Sequence, residues 1–234
     1  MRKGNIIIGG FFGLLLLYMF VFFIQAKDKS AHQSYPLKKK MQAEDLSQVI
    51  SSAKFLKVNK TPRRFSIEPS KKMNARWECL TAHNYIGMNY QKSGDTLIIN
   101  FTENFDMRDG KLFLPKRKIE KIFLNDANVF ISAELSSELE IYGHKSKINV
   151  VANNDGTRMK RLYMRTDNSR IFLSRFDADK IQLELNHTKA HLKTTRIGSL
   201  SGSLKNKSML VGYNFSDSSL EKDESSSVKW GNEI

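Results

Sequence analysis

Residues 162–173 read LYMRTDNSRIFL, residues 181–192 read IQLELNHTKAHL, and residues 200–211 read LSGSLKNKSMLV. The three stretches begin 19 residues apart and share one plan: a short alternating strand, a polar turn, a second alternating strand. In the first, Leu162, Met164, Ile171 and Leu173 alternate with Tyr163, Arg165, Arg170 and Phe172. A period of two marks half-buried strands, so the first set is expected inward and the second outward. The later copies are Ile181-x-Leu183 with Ala190-x-Leu192, and Leu200-x-Gly202 with Met209-x-Val211. Leu139-x-Ile141 with Ile148-x-Val150 is a further copy upstream, followed by the turn-like insertion Asn153-Asn154-Asp155-Gly156. Self-similarity at about 20 residues signals a solenoid, whose units bury their apolar faces only by stacking on neighbours. The expected fold is all-β: a β-helix-like β-solenoid with coils of ~19–21 residues, the regular step favouring it over a small β-sandwich. Stacking predicts Arg165 beside Glu184 and Arg170 beside Lys189. Gly202 leaves an inward gap, which Leu204 is expected to fill.

Outside these coils the pattern loosens. Phe55 to Val58, Phe65 to Ile67 and Ala75 to Trp77 read as short strands, and Thr96 to Phe101 as a stronger one after the Ser93-Gly94-Asp95 turn. Asp109-Gly110 reads as a hairpin between Met107 and Leu112-Phe113-Leu114. Ile122-x-Leu124 and Val129-x-Ile131 resemble the later pairs but lie two residues closer, as in an irregular first coil. After Val211 the chain becomes rich in Ser, Asp, Glu and Lys. The expected organisation is an anchor over 1–26, a polar tether over 27–53, a solenoid domain over 54–215 with coils most regular from 119, and a polar tail or cap over 216–234.

The anchor is the run IIIGGFFGLLLLYMFVFFI from Ile6 to Ile24, 19 uncharged residues flanked by Arg2, Lys3, Lys27, Asp28 and Lys29. That length spans a bilayer core of about 30 Å as a helix. It exceeds a signal-peptide core, so an uncleaved single-pass signal anchor is expected, with the domain exoplasmic in a bacterial cell membrane. Cys79 is the only cysteine, which excludes an intrachain disulfide and a cysteine-based metal cluster.

The 234 residues carry a formal net charge of +14, with 26% charged residues. Such a surface attracts anions. Arg158, Lys160, Arg161, Arg165, Arg170, Arg175, Lys189 and Lys193 cluster in sequence and form the candidate anion-binding face. Its expected partners are an anionic glycan, lipid head groups or an envelope protein, with nucleic acid disfavoured for an exported domain. Catalytic signals are thin. His187 and His191 have the spacing of two helix-borne metal ligands, but the repeat puts them in a turn and a strand. Asp167, Asp177, Asp179 and Glu184 read as turn formers. There is no G-x-S-x-G, P-loop or dinucleotide motif, and no cofactor is implied. Asn59, Asn100, Asn186, Asn206 and Asn214 begin Asn-x-Ser/Thr sequons, which carry no meaning in a bacterial host.

Phe55-Leu-Lys-Val58, Phe65-Ser-Ile67, Gly94-Asp-Thr-Leu-Ile-Ile99 and the stretch Ile119 to Ile131, followed by the repeats, resemble the bacterial GIN (auto-transporter adhesin head) domain family over roughly residues 53–215. The family's coils are usually richer in Gly and Ser than these, which are rich in Lys, Arg and Asn. The resemblance implies a leading strand pair, β-solenoid coils and an exported, envelope-associated role with no established enzymatic activity. The sequence therefore points to a membrane-anchored, non-catalytic binding, adhesion or scaffold module. The alternatives are a carbohydrate-active β-helix enzyme, which needs a cleft with clustered carboxylates, and an envelope-signalling accessory.

Overall fold

The computed structural model describes residues 53–61, 65–70, 76–79, 88–101, 110–116, 118–193, 196–212 and 217–231. The anchor expected over 6–24, nearly all of the tether, and the hairpin partner near Met107 lie outside the described residues.

The strands are β1 (Phe55–Asn59), β2 (Phe65–Pro69), β3 (Arg76–Cys79), β4 (Met88–Ser93), β5 (Thr96–Phe101), β6 (Gly110–Leu114), β7 (Lys121–Asn125), β8 (Asn128–Ser132) and β9 (Glu138–His144). They continue as β10 (Lys147–Val151), β11 (Arg158–Asp167), β12 (Arg170–Ser174), β13 (Asp177–Asn186), β14 (Lys189–Lys193), β15 (Arg196–Lys205), β16 (Met209–Gly212), β17 (Ser218–Lys222) and β18 (Ser227–Trp230). Two nine-stranded sheets result, in the orders β17-β15-β13-β11-β9-β7-β1-β5-β4 (sheet A) and β18-β16-β14-β12-β10-β8-β2-β6-β3 (sheet B). Each coil gives one strand to each sheet and stacks in parallel on its neighbours, so the described residues form an all-β solenoid. The β1/β2 coil sits between β5/β6 and β7/β8, so the stack does not start at the regular repeats. Antiparallel β4 and β3 close that end of the two sheets.

The inward residues follow the sequence pattern. Leu162, Met164, Ile171, Leu173, Ile181, Leu183 and Ala190 are fully buried. They sit in unbroken columns such as Ile122, Ile141, Met164 and Leu183. Removing such a leucine side chain costs roughly 2–5 kcal/mol. The columns also explain the short first coil. Ile122 stands beside Ile141, not Leu139, so every turn from Ile122 to Val129 and from Ile141 to Ile148 has the same length.

That constant turn has its own chemistry. Lys60, Asp126, Lys145, Asn168, His187 and Asn206 each adopt positive φ between 46 and 55°, one per coil. Asn and Asp tolerate this region because their short polar side chains bond locally. After Lys60, Lys145, Asn168 and His187 the next residue carries a buried hydroxyl, after Asn206 it is one further on, and after Asp126 the position is Ala127. Ser146, Ser169, Thr188, Ser208 and Ser226 each accept a backbone N–H from the coil before, at 3.0–3.3 Å. Ser146, Ser169, Thr188 and Ser208 donate back to a carbonyl two or three residues earlier. Three of the sequons, starting at Asn59, Asn186 and Asn206, are this turn: their third residues are Thr61, Thr188 and Ser208. The motif that resembles a glycosylation signal is here a folding signal.

Two expectations are corrected. Asn206 and Lys207 both take positive φ, which lengthens one turn by a residue. Met209 and Val211 therefore face outward, while Leu210 and Gly212 are buried beside Ala190 and Leu192. A one-residue slip flips every side chain of a strand. Leu204 does not fill the space at Gly202; it stacks on Leu185, and Leu220 stands opposite Gly202 on the other side. Gly202 has φ 139°, and a Cβ there would lie 1.8 Å from the Leu183 carbonyl oxygen, so only glycine fits. The polar residues 218–230 form one more parallel coil, β17/β18. Its turn is tied by Asp223, which accepts the Asn206 N–H at 2.6 Å. The Ser226 hydroxyl and that N–H hold its carboxyl down to about 2.

Candidate functional site

The eight basic residues do not share a face. Arg158, Lys160, Arg161 and Arg165 lie on β11 in sheet A, exposed. Arg170 opens β12, and Lys189 and Lys193 begin and end β14, all in sheet B. Arg175 occupies the turn between β12 and β13, with φ 62°. The polar turn at residues 168–169 carries the chain from one sheet to the other, so closeness in sequence did not mean closeness on one surface.

The sheet A group is matched by acids. The Arg158 Nε–H donates to Asp179 at 2.7 Å, Arg161 faces Glu138 at 3.3 Å, and Arg165 faces Glu184 at 3.7 Å. Lys121 pairs with Glu140 at 2.9 Å; this bond leads in holding the Glu140 carboxyl below its ordinary range. Asp177, Asp179 and Glu184 are thus strand residues of β13, not turn formers. Aromatic rings fill the same surface. Phe123 stacks on Tyr142 at 5.0 Å, and Tyr142 meets Tyr163 edge-on at 5.7 Å. Burial, then a hydrogen bond to Glu184, pushes the Tyr163 hydroxyl up to about 12.

Sheet B differs. Lys147, Arg170 and Lys189 stand in register on three successive strands, all exposed. No aspartate or glutamate occurs in β8, β10, β12, β14, β16 or β18. The next outward column runs Phe130, Asn149, Phe172, His191, Val211 and Lys229. Phe172 and His191 stack at 5.1 Å and 7°, and the Lys147 ammonium lies 5.9 Å from the Phe172 centroid. Burial, then Lys189 and Lys193, lowers the His191 pKa. Sequence reading had placed Arg170 beside Lys189, and the structure does so; it missed Lys147, which the same step of 23 residues between Ile148 and Ile171 would have found.

Sheet A also holds a groove of about 510 Å³ that crosses the strands. One wall is the column Lys57, Phe123, Tyr142, Arg165, Glu184 and Ser203. The other is Asn59, Asn125, His144, Asp167, Asn186 and Lys205, nearly all planar polar side chains. His144 Nδ1 lies 2.9 Å from Asp167 Oδ2, and Asn186 Nδ2–H donates to Asp167 Oδ1 at 2.6 Å. The groove's two carboxylates are thus each engaged in a ladder. Among the described residues no group of three or more His, Cys, Asp or Glu is placed to hold a metal ion.

No family model matches the chain, and no curated protein matches it. Solved structures resemble the fold, two of them as follows. One is a proposed adhesin from Bacteroides fragilis, at 10% identity and a TM-score of 0.49, covering 77% of this chain and 93% of that one. The other is a proposed adhesin from Parabacteroides merdae, at 11% identity and a TM-score of 0.39, covering 77% of this chain and 92% of that one.

Proposed function

We propose that this chain is a membrane-anchored, non-catalytic binding module. It is held through residues 6–24 in a bacterial cell membrane and presents its solenoid outside the cytoplasm to anionic components of the envelope. The observation that carries the reading is the cation ladder Lys147, Arg170 and Lys189 on a sheet whose neighbouring strands contain no acid. Like charges directly opposite one another destabilise a sheet. An anion laid across the rungs removes that repulsion, and the rung spacing of about 4.8 Å sets the charges at intervals a polyanion or a row of head groups can follow. Phe130 and Phe172 add apolar surface in the neighbouring outward column.

A non-catalytic role accords with the groove's carboxylates, which are bonded within their own ladders, and with the absence of the sequence motifs of hydrolases and nucleotide enzymes. Arg158, Arg161 and Arg165 of β11 are left out of the ligand face because they already have carboxylate partners.

The test is sedimentation of the full chain, in neutral lipid nanodiscs, with acidic polysaccharide or with anionic vesicles, over a range of salt. Binding is expected to fall steeply with salt. Arg170→Glu with Lys189→Glu is expected to remove most of it, at about 1 kcal/mol per basic residue near an anionic surface and twice that for a reversal. Unchanged binding in that variant, or loss only on reversing Arg158 and Arg165, would sink the assignment. Vesicles and polysaccharide separate the two anion sources. Protease treatment of intact cells and spheroplasts tests the topology. Digestion of the solenoid in spheroplasts is expected; protection until lysis would place the domain in the cytosol.

A further inference from the structure

The groove on sheet A lies apart from the cationic surface and has a different chemistry. It crosses β1, β7, β9, β11, β13 and β15. Five steps of about 4.8 Å make it roughly 24 Å long, so it is an elongated groove rather than a compact pocket.

Three observations choose the polymer. The groove runs across the strands, whose backbone groups are already bonded to the coils above and below. A peptide laid in it would find no sheet edge to extend, so the main-chain pairing that usually holds extended peptides is closed to it. The charge is nearly balanced: Lys57, Arg165 and Lys205 stand against Asp167 and Glu184, with Arg165 and Glu184 paired. A polyanion gains little here compared with sheet B. Finally, one wall offers Phe123 and Tyr142, while the other offers amides, an imidazole and a carboxylate, about one per coil. Planar groups that donate and accept in one plane match vicinal hydroxyls, and apolar rings match the C–H faces of pyranose units.

We infer that this groove binds a linear neutral glycan lying along the coil axis, with Tyr142 and Phe123 packing on its sugar rings. Asn125 bonds its hydroxyls, together with the second amide protons of Asn59 and Asn186, whose first protons go to Asn100 and Asp167 within the ladder. The site is independent of the cationic face: a glycan in the groove touches neither Arg170 nor Lys189, which are on the other sheet.

The experiment is isothermal titration of the full chain, in a sugar-free zwitterionic detergent, with linear β-glucan, α-glucan and chitin oligosaccharides of increasing length. One of the three is expected to bind, with affinity rising until the chain spans roughly 24 Å and changing little with salt. Tyr142→Ala is expected to weaken it about tenfold, the scale of one aromatic contact. Asn125→Ala is expected to weaken it about threefold to tenfold, as for one hydrogen bond. Ser203→Tyr, which obstructs one end of the groove and removes no core group, should shorten the length at which affinity stops rising. Unchanged melting temperatures in these variants separate lost binding from lost folding. Failure of all three glycans to bind overturns the inference. So does binding that survives Tyr142→Ala and Ser203→Tyr, or that is lost in Lys189→Glu. Failure here leaves salt-dependent anion binding on sheet B untouched, and the converse also holds.

Discussion

On β7 to β13 of sheet A, neighbouring coils set opposite charges side by side, with Arg161 against Lys180 the exception; on β10, β12 and β14 of sheet B, they set like charges side by side. Lys121 stands against Glu140, Arg161 against Glu138 and Arg165 against Glu184 on one surface. On the other, Lys147, Arg170 and Lys189 follow one another with no acid between. The two surfaces share a core, a coil length and a rung spacing. Folding therefore does not dictate the outward columns, because the buried columns satisfy the sheet whichever charges stand outside. Sheet A spends its charges on itself and leaves a near-neutral groove, whereas sheet B leaves its charges for something else to neutralise.

The largest effect expected from breaking this contrast is on binding. Arg170→Glu with Lys189→Glu should cost roughly 2–4 kcal/mol of affinity for an anionic surface, read as loss of salt-sensitive sedimentation. The same reversal at Arg158 and Arg165 should cost little. Next is a control on what both sheets share. Thr188 accepts the Ser169 N–H and donates to the Asn186 carbonyl inside the turn that joins them. Thr188→Val keeps the shape and strands that buried N–H, and should lower unfolding free energy by roughly 1–3 kcal/mol without favouring either ligand. Chemical denaturation measures it, and a loss near zero would mean the hydroxyl ladder is incidental.

A third prediction gives the two faces opposite signs. Arg170→Glu places a carboxylate between Lys147 and Lys189, and should stabilise the fold by roughly 0.2–1 kcal/mol while weakening anion binding. Arg165→Glu puts a second carboxylate in register beside Glu184 and should destabilise it by a similar amount. Melting temperatures that move in the same direction for both variants would show that the register pairs do not matter energetically.

The coil architecture was legible because its signal is local and repeated: Leu162, Ile181 and Leu200 carry the step, and alternation assigns the faces. The ladder partners Glu184 and Lys189 followed from the same step. What failed depended on single residues. Lys207 adds one residue to a turn and reverses β16, and nothing apolar marks it. The hydroxyl column was written in the sequence as His-Lys-Ser, Asp-Asn-Ser, Asn-His-Thr and Asn-Lys-Ser; the last two read as sequons only because Asn stands two residues before their hydroxyl. The cationic cluster was misjudged for a physical reason. A run of basic residues crosses a turn between two sheets, and only the three-dimensional column shows which of them are neighbours. The groove was invisible because its walls come from six strands, each contributing two residues.

The smallest expected effect is the most specific to one surface. His191 stacks on Phe172, with Lys189 and Lys193 on its own strand, Arg170 on β12 and no titratable group on β16. Its pKa lies below the ordinary 6.5, first through burial and then through the two lysines. The unfolded chain therefore takes up this proton more readily than the folded one, and stability rises with pH across that interval. The contribution is complete above about pH 6.5 and is lost as pH falls through the lowered value. Protonation also adds a cation to sheet B, so an anionic ligand that favours the imidazolium should bind more tightly on acidification, and by linkage should raise the His191 pKa. Acidifying from about pH 7.5 to about pH 5 should lower the melting temperature slightly and strengthen vesicle or polysaccharide binding, with both changes reduced in His191→Gln. Glycan affinity in the sheet A groove should not respond to that substitution. An equal response in both sites would mean that acid acts on the fold as a whole, and the separation of the two faces would fail.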